Sequence, residues 1–277
     1  MSRPELQAPP EIFYNESEAK KYSSNTRIIQ IQAEMSERCI ELLNIQDDSP
    51  RFILDIGCGS GLSGEVLSES GHHWVGLDIS SSMLDIARER EADGDLMLHD
   101  MGTGVCFRPG SFDGAISVSA LQWLCNADKK INSPYHRLNR FFGTLYSSLC
   151  RGARAVFQFY PDHPDQITMI TTSAMKAGFT GGIVIDYPHS TKAKKYYLCL
   201  FTGSSGEYVA PIALGTGEDD SVQASVSERT RERKRKGKKN VKDKDWVLRK
   251  KELNRKRGKI NVPEDSKYTA RKRRPRF

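Results

Sequence analysis

The sequence predicts an α/β fold: a mostly parallel sheet with helices on both faces and an antiparallel last strand, followed by a basic C-terminal tail. Three observations predict it. From Phe52 onward, short apolar runs alternate with amphipathic ones, the pattern of parallel strands whose crossovers are helices. The last two apolar runs, GGIVIDYP and YYLCLFTG, are joined only by HSTKAKK. That is too short for a parallel crossover and predicts an antiparallel hairpin at one edge. Charge also divides the chain: residues 228–277 hold 23 of the 42 Lys/Arg but 7 of the 35 Asp/Glu, a net of +16, which leaves residues 1–227 at −9.

The elements follow in order. Residues 16–43 read as one helix, because Ile28, Ile31, Met35, Cys39 and Leu42 step by three or four while Glu34, Glu37, Arg38 and Glu41 stay outside. The polar stretch 47–50 ends it. FILDI (Phe52–Ile56) is the first strand and leads to a helix from Gly61. WVGLD (Trp74–Asp78) is the second, with a helix opening at Ser80–Ser82. DLMLHD (Asp95–Asp100) is the third. FDGAISVS (Phe112–Ser119) is the fourth, trailed by a helix over Leu121–Cys125. After a polar insertion at Asn126–Arg137, a helix from Leu138 to Leu149 leads into ARAVFQFY, and Gln166–Ala177 supplies the helix before the hairpin. Beyond Gly203 the periodicity stops, and residues 204–227 read as a Gly/Ser/Asp-rich linker.

Composition removes several classes. The six cysteines are scattered singly with no C-x-x-C pair, which argues against a zinc site or a disulfide framework and predicts reduced thiols inside the cell. The opening MSRPELQAPPEIFY has no apolar signal core, and no run approaches the ~18–20 apolar residues of a membrane span. No metal ligands and no membrane association are expected.

Chemistry concentrates in LDIGCGSG, residues 54–61, where Gly57, Gly59 and Gly61 fall at alternate positions after an apolar strand. Without a Cβ the chain turns sharply there and presses its backbone against a ligand at the next helix's N-terminus. Gly59-x-Gly61-x-x-Gly64 also satisfies the dinucleotide fingerprint, so the pattern by itself admits a dinucleotide or S-adenosylmethionine. Three acids extend it. Asp55 closes the first strand, Asp78 the second and Asp100 the third. A carboxylate after the second strand accepts ribose hydroxyls, and one after the third accepts from an adenine amino group.

That ensemble resembles the class I S-adenosylmethionine-dependent methyltransferases, whose marks are E/DxGxGxG followed by acids after strands two and three. The resemblance covers residues 50–203 and implies a Rossmann-like methyltransferase core using S-adenosylmethionine, with residues 1–49 as an N-terminal lid segment and helix. It further implies that Gly57, Cys58 and Gly59 line the methionine moiety and that Asp78, followed by Ile79 and Ser80, holds the ribose. Asp100 and Met101 would bracket the adenine, Ile79 would pack on its face and Ser119 would border the sulfonium. Asp55 is shorter than the family's usual Glu, leaving room for a water. Tyr14 and Arg27 lie in a segment resembling the lid that touches the cofactor carboxylate.

The acceptor side is less marked. No Asn-Pro-Pro-Tyr, Asp-Pro-Pro-Tyr or Pro-Cys motif follows the fourth strand, which reads SVSALQWL. A ring nitrogen with a free lone pair suits a site without an obvious base. Trp123, Tyr135, Tyr160 and His163 are candidates to border the acceptor, although Trp123 also suits the core and the insertion holding Tyr135 also suits a solvated loop. The tail, with RERKRKGKK at 231–239 and KDWVLRKKELNRKRG at 244–258, fits a nuclear-import signal and a phosphate-binding arm, with a basic helix in which Trp246 stacks.

Taken with PPEIFYNESEAKKYSSNTRIIQ at the start and RKKELNRKRGK in the tail, the chain resembles the eukaryotic small-subunit ribosomal RNA guanine-nitrogen-7 methyltransferases. The resemblance implies action on pre-40S particles and a role in pre-rRNA processing and 40S subunit biogenesis in the nucleus and nucleolus, with the cytoplasm as a further site. It also implies a small zinc-binding activator subunit. Asp95–Asp100, with Leu96, Met97 and Leu98 in a row and no Pro or Lys, is an edge strand suited to receive it. Two other readings remain: a protein or small-molecule methyltransferase whose tail only directs import, and a mainly non-catalytic assembly factor.

Overall fold

The structure, a computed structural model, describes residues 3–45, 49–127, 132–203, 212–215, 244–256, 262–267 and 269. The chain divides into two compact units, Met1–Ser221 and Val222–Phe277.

In the first unit, α1 (Pro10–Phe13) and α2 (Glu16–Ser24) precede the long α3 (Thr26–Leu43). The single helix expected over 16–43 is therefore two. Asn25 breaks it: its backbone is extended and its side chain accepts from the N–H groups of Arg27 and Ile28, capping α3. Next come β1 (Phe52–Ile56), α4 (Leu62–Glu69), β2 (His73–Asp78), α5 (Ser81–Glu89), β3 (Asp95–Leu98) and β4 (Phe112–Val118). Helix α6 (Pro134–Ser148), β5 (Leu149–Phe159), α7 (Pro164–Lys176), β6 (Thr180–Asp186) and β7 (Lys195–Phe201) complete the unit.

The seven strands lie in the order β3-β2-β1-β4-β5-β7-β6. The first five are parallel; β7 runs antiparallel to both β5 and β6, as the hairpin predicts. Strand alternation divides the core into two layers. Leu54, Leu77, Ala115, Phe157 and Leu198 pack with Leu138, Phe141 and Phe142 of α6. Their sequence neighbours Ile53, Ile116, Val156, Tyr197 and Cys199 pack with Met35, Cys39 and Leu42 of α3. A period of two thus sends adjacent residues to opposite faces.

Three local expectations change. Leu121–Cys125 forms a 3-10 turn. Helix α6 starts at Pro134, pre-set for a first helical turn, so Tyr135, His136 and Arg137 stand on a helix instead of a loop. Strand β3 ends at Leu98, and Asp100 instead caps a 3-10 turn over Met101–Thr103.

Residues 212–214, within the stretch read as a linker, are held in place. Arg38 Nη2 donates to Ile212 O (2.6 Å), Leu214 N to Asp186 Oδ1 (2.9 Å) and Tyr187 N to Leu214 O (2.6 Å). In the second unit, Lys244–Lys256 forms α8. Its Lys251 and Arg255 both reach the carboxylate of Asp265. The cluster 231–239 and the Trp246 side chain lie outside the described residues.

Candidate active site

The carboxyl ends of β1, β2 and β4 open onto a cavity, where open α/β sheets bind ligands. The glycine loop forms its floor. Gly57 N and Cys58 N both donate to Leu77 O (2.7 and 3.0 Å), tying the loop to β2. Gly57 sits at φ +74°, and a Cβ there would stand 2.4 Å from Ala120 Cβ. Gly64, which completed the dinucleotide pattern, meets a different need. Its missing Cβ would lie 2.0 Å from the Trp74 ring, so it serves helix-on-sheet packing and not a ligand.

The three acids occupy distinct environments. Asp78 lines the cavity with both oxygens anchored: Oδ2 accepts from Gly59 N and Oδ1 from Ser80 N, each at 2.8 Å. Burial raises its pKa, while the amides of Ser80, Gly59 and Ile79 pull the other way. Each oxygen retains a lone pair for a further donor. Asp100 Oδ1 accepts from Gly102 N (2.8 Å) and Arg137 Nη2 (2.6 Å). Asp55 is wholly buried behind the loop. Its Oδ2 accepts from Ser63 Oγ at 2.6 Å, and Oδ1 has no partner. Burial pushes this carboxyl up to about 7, the Ser63 bond opposes, and Asp78 adds to the rise.

Cys58, Ile79, Met101 and Ser119 also line the cavity. Ser119 adopts left-handed backbone (φ +60°), rare for a residue with a side chain. It is fixed there by Ser119 N donating to Gln158 O (3.0 Å) and Ser119 Oγ to Gln158 Oε1 (2.8 Å). The N-terminal segment supplies the cover. Tyr14 packs edge-on against Tyr22 (5.9 Å) and Trp123 (5.8 Å), and Tyr14 O accepts from Ser80 Oγ (2.8 Å). Burial raises both phenols above their ordinary range and keeps them neutral.

The expected residues divide. Tyr14, Gly57, Cys58, Gly59, Asp78, Ile79, Asp100, Met101, Ser119 and Trp123 share the cavity wall. Asp55 and Ser80 stand one layer behind it. Arg27 is exposed on the first turn of α3, away from that wall. Tyr135 is 41% exposed and bonds Lys176 Nζ at 3.2 Å. His163 is exposed at the start of α7, and Tyr160 belongs to a separate, smaller cavity. Sequence reasoning missed Gln32, which lines the cavity from α3, and Ser63 and Gln158, which hold Asp55 and Ser119. All three are single polar residues within apolar periodic runs, where spacing carries no functional signal.

The cavity fits adenosine joined to an amino acid. It offers the anchored carboxylate of Asp78, a second at Asp100 and, behind the loop, a buried oxygen of Asp55 still lacking a donor. Fold and site together define a class I S-adenosylmethionine-dependent methyltransferase. The family description "Methyltransferase domain" matches residues 53–140, and "Methyltransferase involved in Williams-Beuren syndrome" matches residues 200–275. In fold the chain is similar to a Haemonchus contortus phosphoethanolamine N-methyltransferase solved with S-adenosylhomocysteine. The TM-score is 0.54 at 17% identity, covering 69% of this chain and 58% of that one.

Curated relatives match far more closely. The chain is 56% identical to the 18S rRNA (guanine-N(7))-methyltransferase of Mus musculus, covering 99% of this chain and 98% of the relative. It is 57% identical to that of Arabidopsis thaliana, covering 100% and 99%. The 18S rRNA (guanine(1575)-N(7))-methyltransferase of Saccharomyces cerevisiae is 55% identical over the full length of both. The chain belongs to the 18S rRNA (guanine-N(7))-methyltransferase family.

Proposed function

We propose that this protein transfers a methyl group from S-adenosylmethionine to nitrogen 7 of a guanine in 18S rRNA, as part of pre-rRNA processing and 40S subunit biogenesis. One observation carries the reading. The strand-end carboxylates and the glycine loop converge on one covered cavity, in a chain more than half identical, end to end, to rRNA guanine-N(7) methyltransferases.

When bound, S-adenosylmethionine supplies an electrophilic methyl group on a sulfonium. The residues of the chain bind and orient around it. Asp78 accepts the ribose hydroxyls, Asp100 and Met101 bracket the adenine with Ile79 on its face, and the Gly57–Gly59 backbone follows the methionine moiety. Ser119, locked by Gln158, borders the reacting end. Tyr14, Tyr22 and Trp123 close the cavity and keep water from competing with the acceptor. Guanine N7 carries a lone pair and no proton, so transfer needs alignment and no general base. The neutral phenols over the cavity agree with that demand.

We infer two further features. A small zinc-binding activator subunit adds a strand along Asp95–Asp100. Support comes from β3, a sheet edge with Leu98 59% exposed, whereas residues 212–214 dock beside β6 at the opposite edge. The basic tail directs the protein to the nucleus and nucleolus and grips RNA phosphates, with 1–49, 50–203, 204–227 and 228–277 as lid, core, linker and tail.

The test is to map 7-methylguanine in 18S rRNA from cells carrying the native chain, Asp78→Ala or no chain. The modified base should be present only with the native chain. Unchanged 7-methylguanine in cells lacking the protein would end the proposal.

A further inference from the structure

Of the three strand-end acids, Asp100 alone is paired with a cation among the described residues. Asp78 accepts from backbone amides and Asp55 from Ser63. Asp100 Oδ1 accepts from Arg137 Nη2 at 2.6 Å as well as from Gly102 N at 2.8 Å. Arg137 stands in the first turn of α6, and its side chain, 12% exposed, lines the cofactor cavity. A cation in a first turn opposes the helix dipole, so the stability of α6 does not account for it.

The surroundings are shaped to this pair. Gly102 lacks the Cβ that would collide with the Arg137 guanidinium. Thr103 N and Thr103 Oγ1 both donate to Asp100 O (3.0 and 2.7 Å), fixing the backbone that carries the carboxylate. Two turns further along α6, Thr144 Oγ1 accepts from Val105 N at 2.7 Å. One helix therefore braces both ends of the turn after β3. The result is an asymmetric carboxylate: Oδ1 holds two donors, while among the described residues no hydrogen bond reaches Oδ2. An unheld aspartate rotates broadly about its last torsion. A planar guanidinium on one oxygen stops that rotation and leaves the other oxygen for a ligand.

We propose that Arg137 is a positioning residue for the cofactor's adenine: by holding Oδ1 it aims Asp100 Oδ2 at the exocyclic 6-amino group, and so sets a preference for a 6-aminopurine nucleoside. The inference rests on the adenine role given to Asp100 above and deepens it. Arg137 touches no reacting atom. Its effect is confined to ligands that carry the 6-amino group, because only they can donate to Oδ2.

Calorimetry on the full-length chain tests this with two probes, S-adenosylhomocysteine and its analogue bearing hydrogen in place of the 6-amino group. The native chain should bind S-adenosylhomocysteine about tenfold more tightly than the analogue, the worth of one hydrogen bond to a charged group. Arg137→Met removes the guanidinium and keeps an apolar stem on the cavity wall. Gly102→Ala keeps Arg137 but fills the space its guanidinium occupies, at a backbone outside the left-handed region. Each substitution should bring S-adenosylhomocysteine down to the level of the analogue, whose own affinity stays unchanged. A merely structural role would weaken both ligands together and preserve their ratio. If either variant, with a thermal melt matching the native one, keeps the preference, the positioning role is overturned while Asp100 keeps the adenine. Should the Met variant melt early, Gly102→Ala decides. Equal binding of the two probes by the native chain removes Asp100 from the adenine and the inference with it. Failure to bind either probe overturns the cofactor reading itself.

Discussion

Asp55 has no exposed surface, keeps a single hydrogen bond from Ser63, and ionises only near pH 7. In the unfolded chain the same carboxyl ionises near pH 4. The folded form therefore holds a proton that unfolding releases between about pH 4 and pH 7. Across that window this group costs the fold about 1.4 kcal/mol per pH unit as pH rises. Asp55→Asn keeps an acceptor for Ser63 and removes the ionisation. Thermal melts of the unliganded protein should show the variant gaining on the native chain between about pH 4 and pH 7 and holding that gain above it, and parallel curves would contradict the assignment. Gly57 answers to geometry instead. Gly57→Ala must adopt φ +74°, costing about 1–2 kcal/mol by itself, and must also clear Ala120 Cβ. Calorimetry should find S-adenosylhomocysteine binding lost or severely weakened, with a lowered melting temperature.

The two outer strands manage their edges differently. β6 has residues 212–214 docked beside it through Tyr187 and Asp186, whereas β3 presents DLML with Leu98 largely exposed and no Pro, Lys or bulge. An unprotected apolar edge pairs with whatever strand is available. Leu98→Lys places a gatekeeping charge there without touching the core. Expressed alone, the variant should aggregate less than the native chain, and it should co-purify less of a strand-adding partner. Equal aggregation of the two would remove β3 as the exposed liability. At the same scale, the 3.6-residue period of 16–43 was correctly helical but silent about Asn25. A polar residue on the solvent side of a helix and a cap between two helices look alike until packing reveals that the chain turns there.

For the whole molecule, charge is the main long-range asymmetry: the first 227 residues carry −9 and the last fifty +16. Phosphate binding by such an arm releases counterions, so affinity falls with salt by about 0.7–0.9 log units per log unit of salt for every phosphate contacted. Deleting 228–277 should weaken binding to 18S rRNA and flatten that salt dependence, while leaving S-adenosylhomocysteine affinity within error of the native value. Filter binding from low to high salt measures the first and calorimetry the second. An unchanged slope would assign RNA binding to the first unit.

The sequence alone determined the alternation of strands and helices, the hairpin, the glycine loop and the acids at the ends of the first three strands. These are local or periodic properties, set by side-chain spacing and by what glycine permits. Asp78 and Asp100 were legible because a parallel sheet delivers its strand ends to one rim. Only the tertiary structure decided that Gly64 serves Trp74, that Gln158 holds Ser119, and that Arg27, Tyr135 and His163 lie outside the cavity wall. It also showed that Gln122 donates to Glu5, more than a hundred residues away. Those outcomes depend on which distant segments meet, and a one-dimensional pattern records a residue's spacing but not its neighbour.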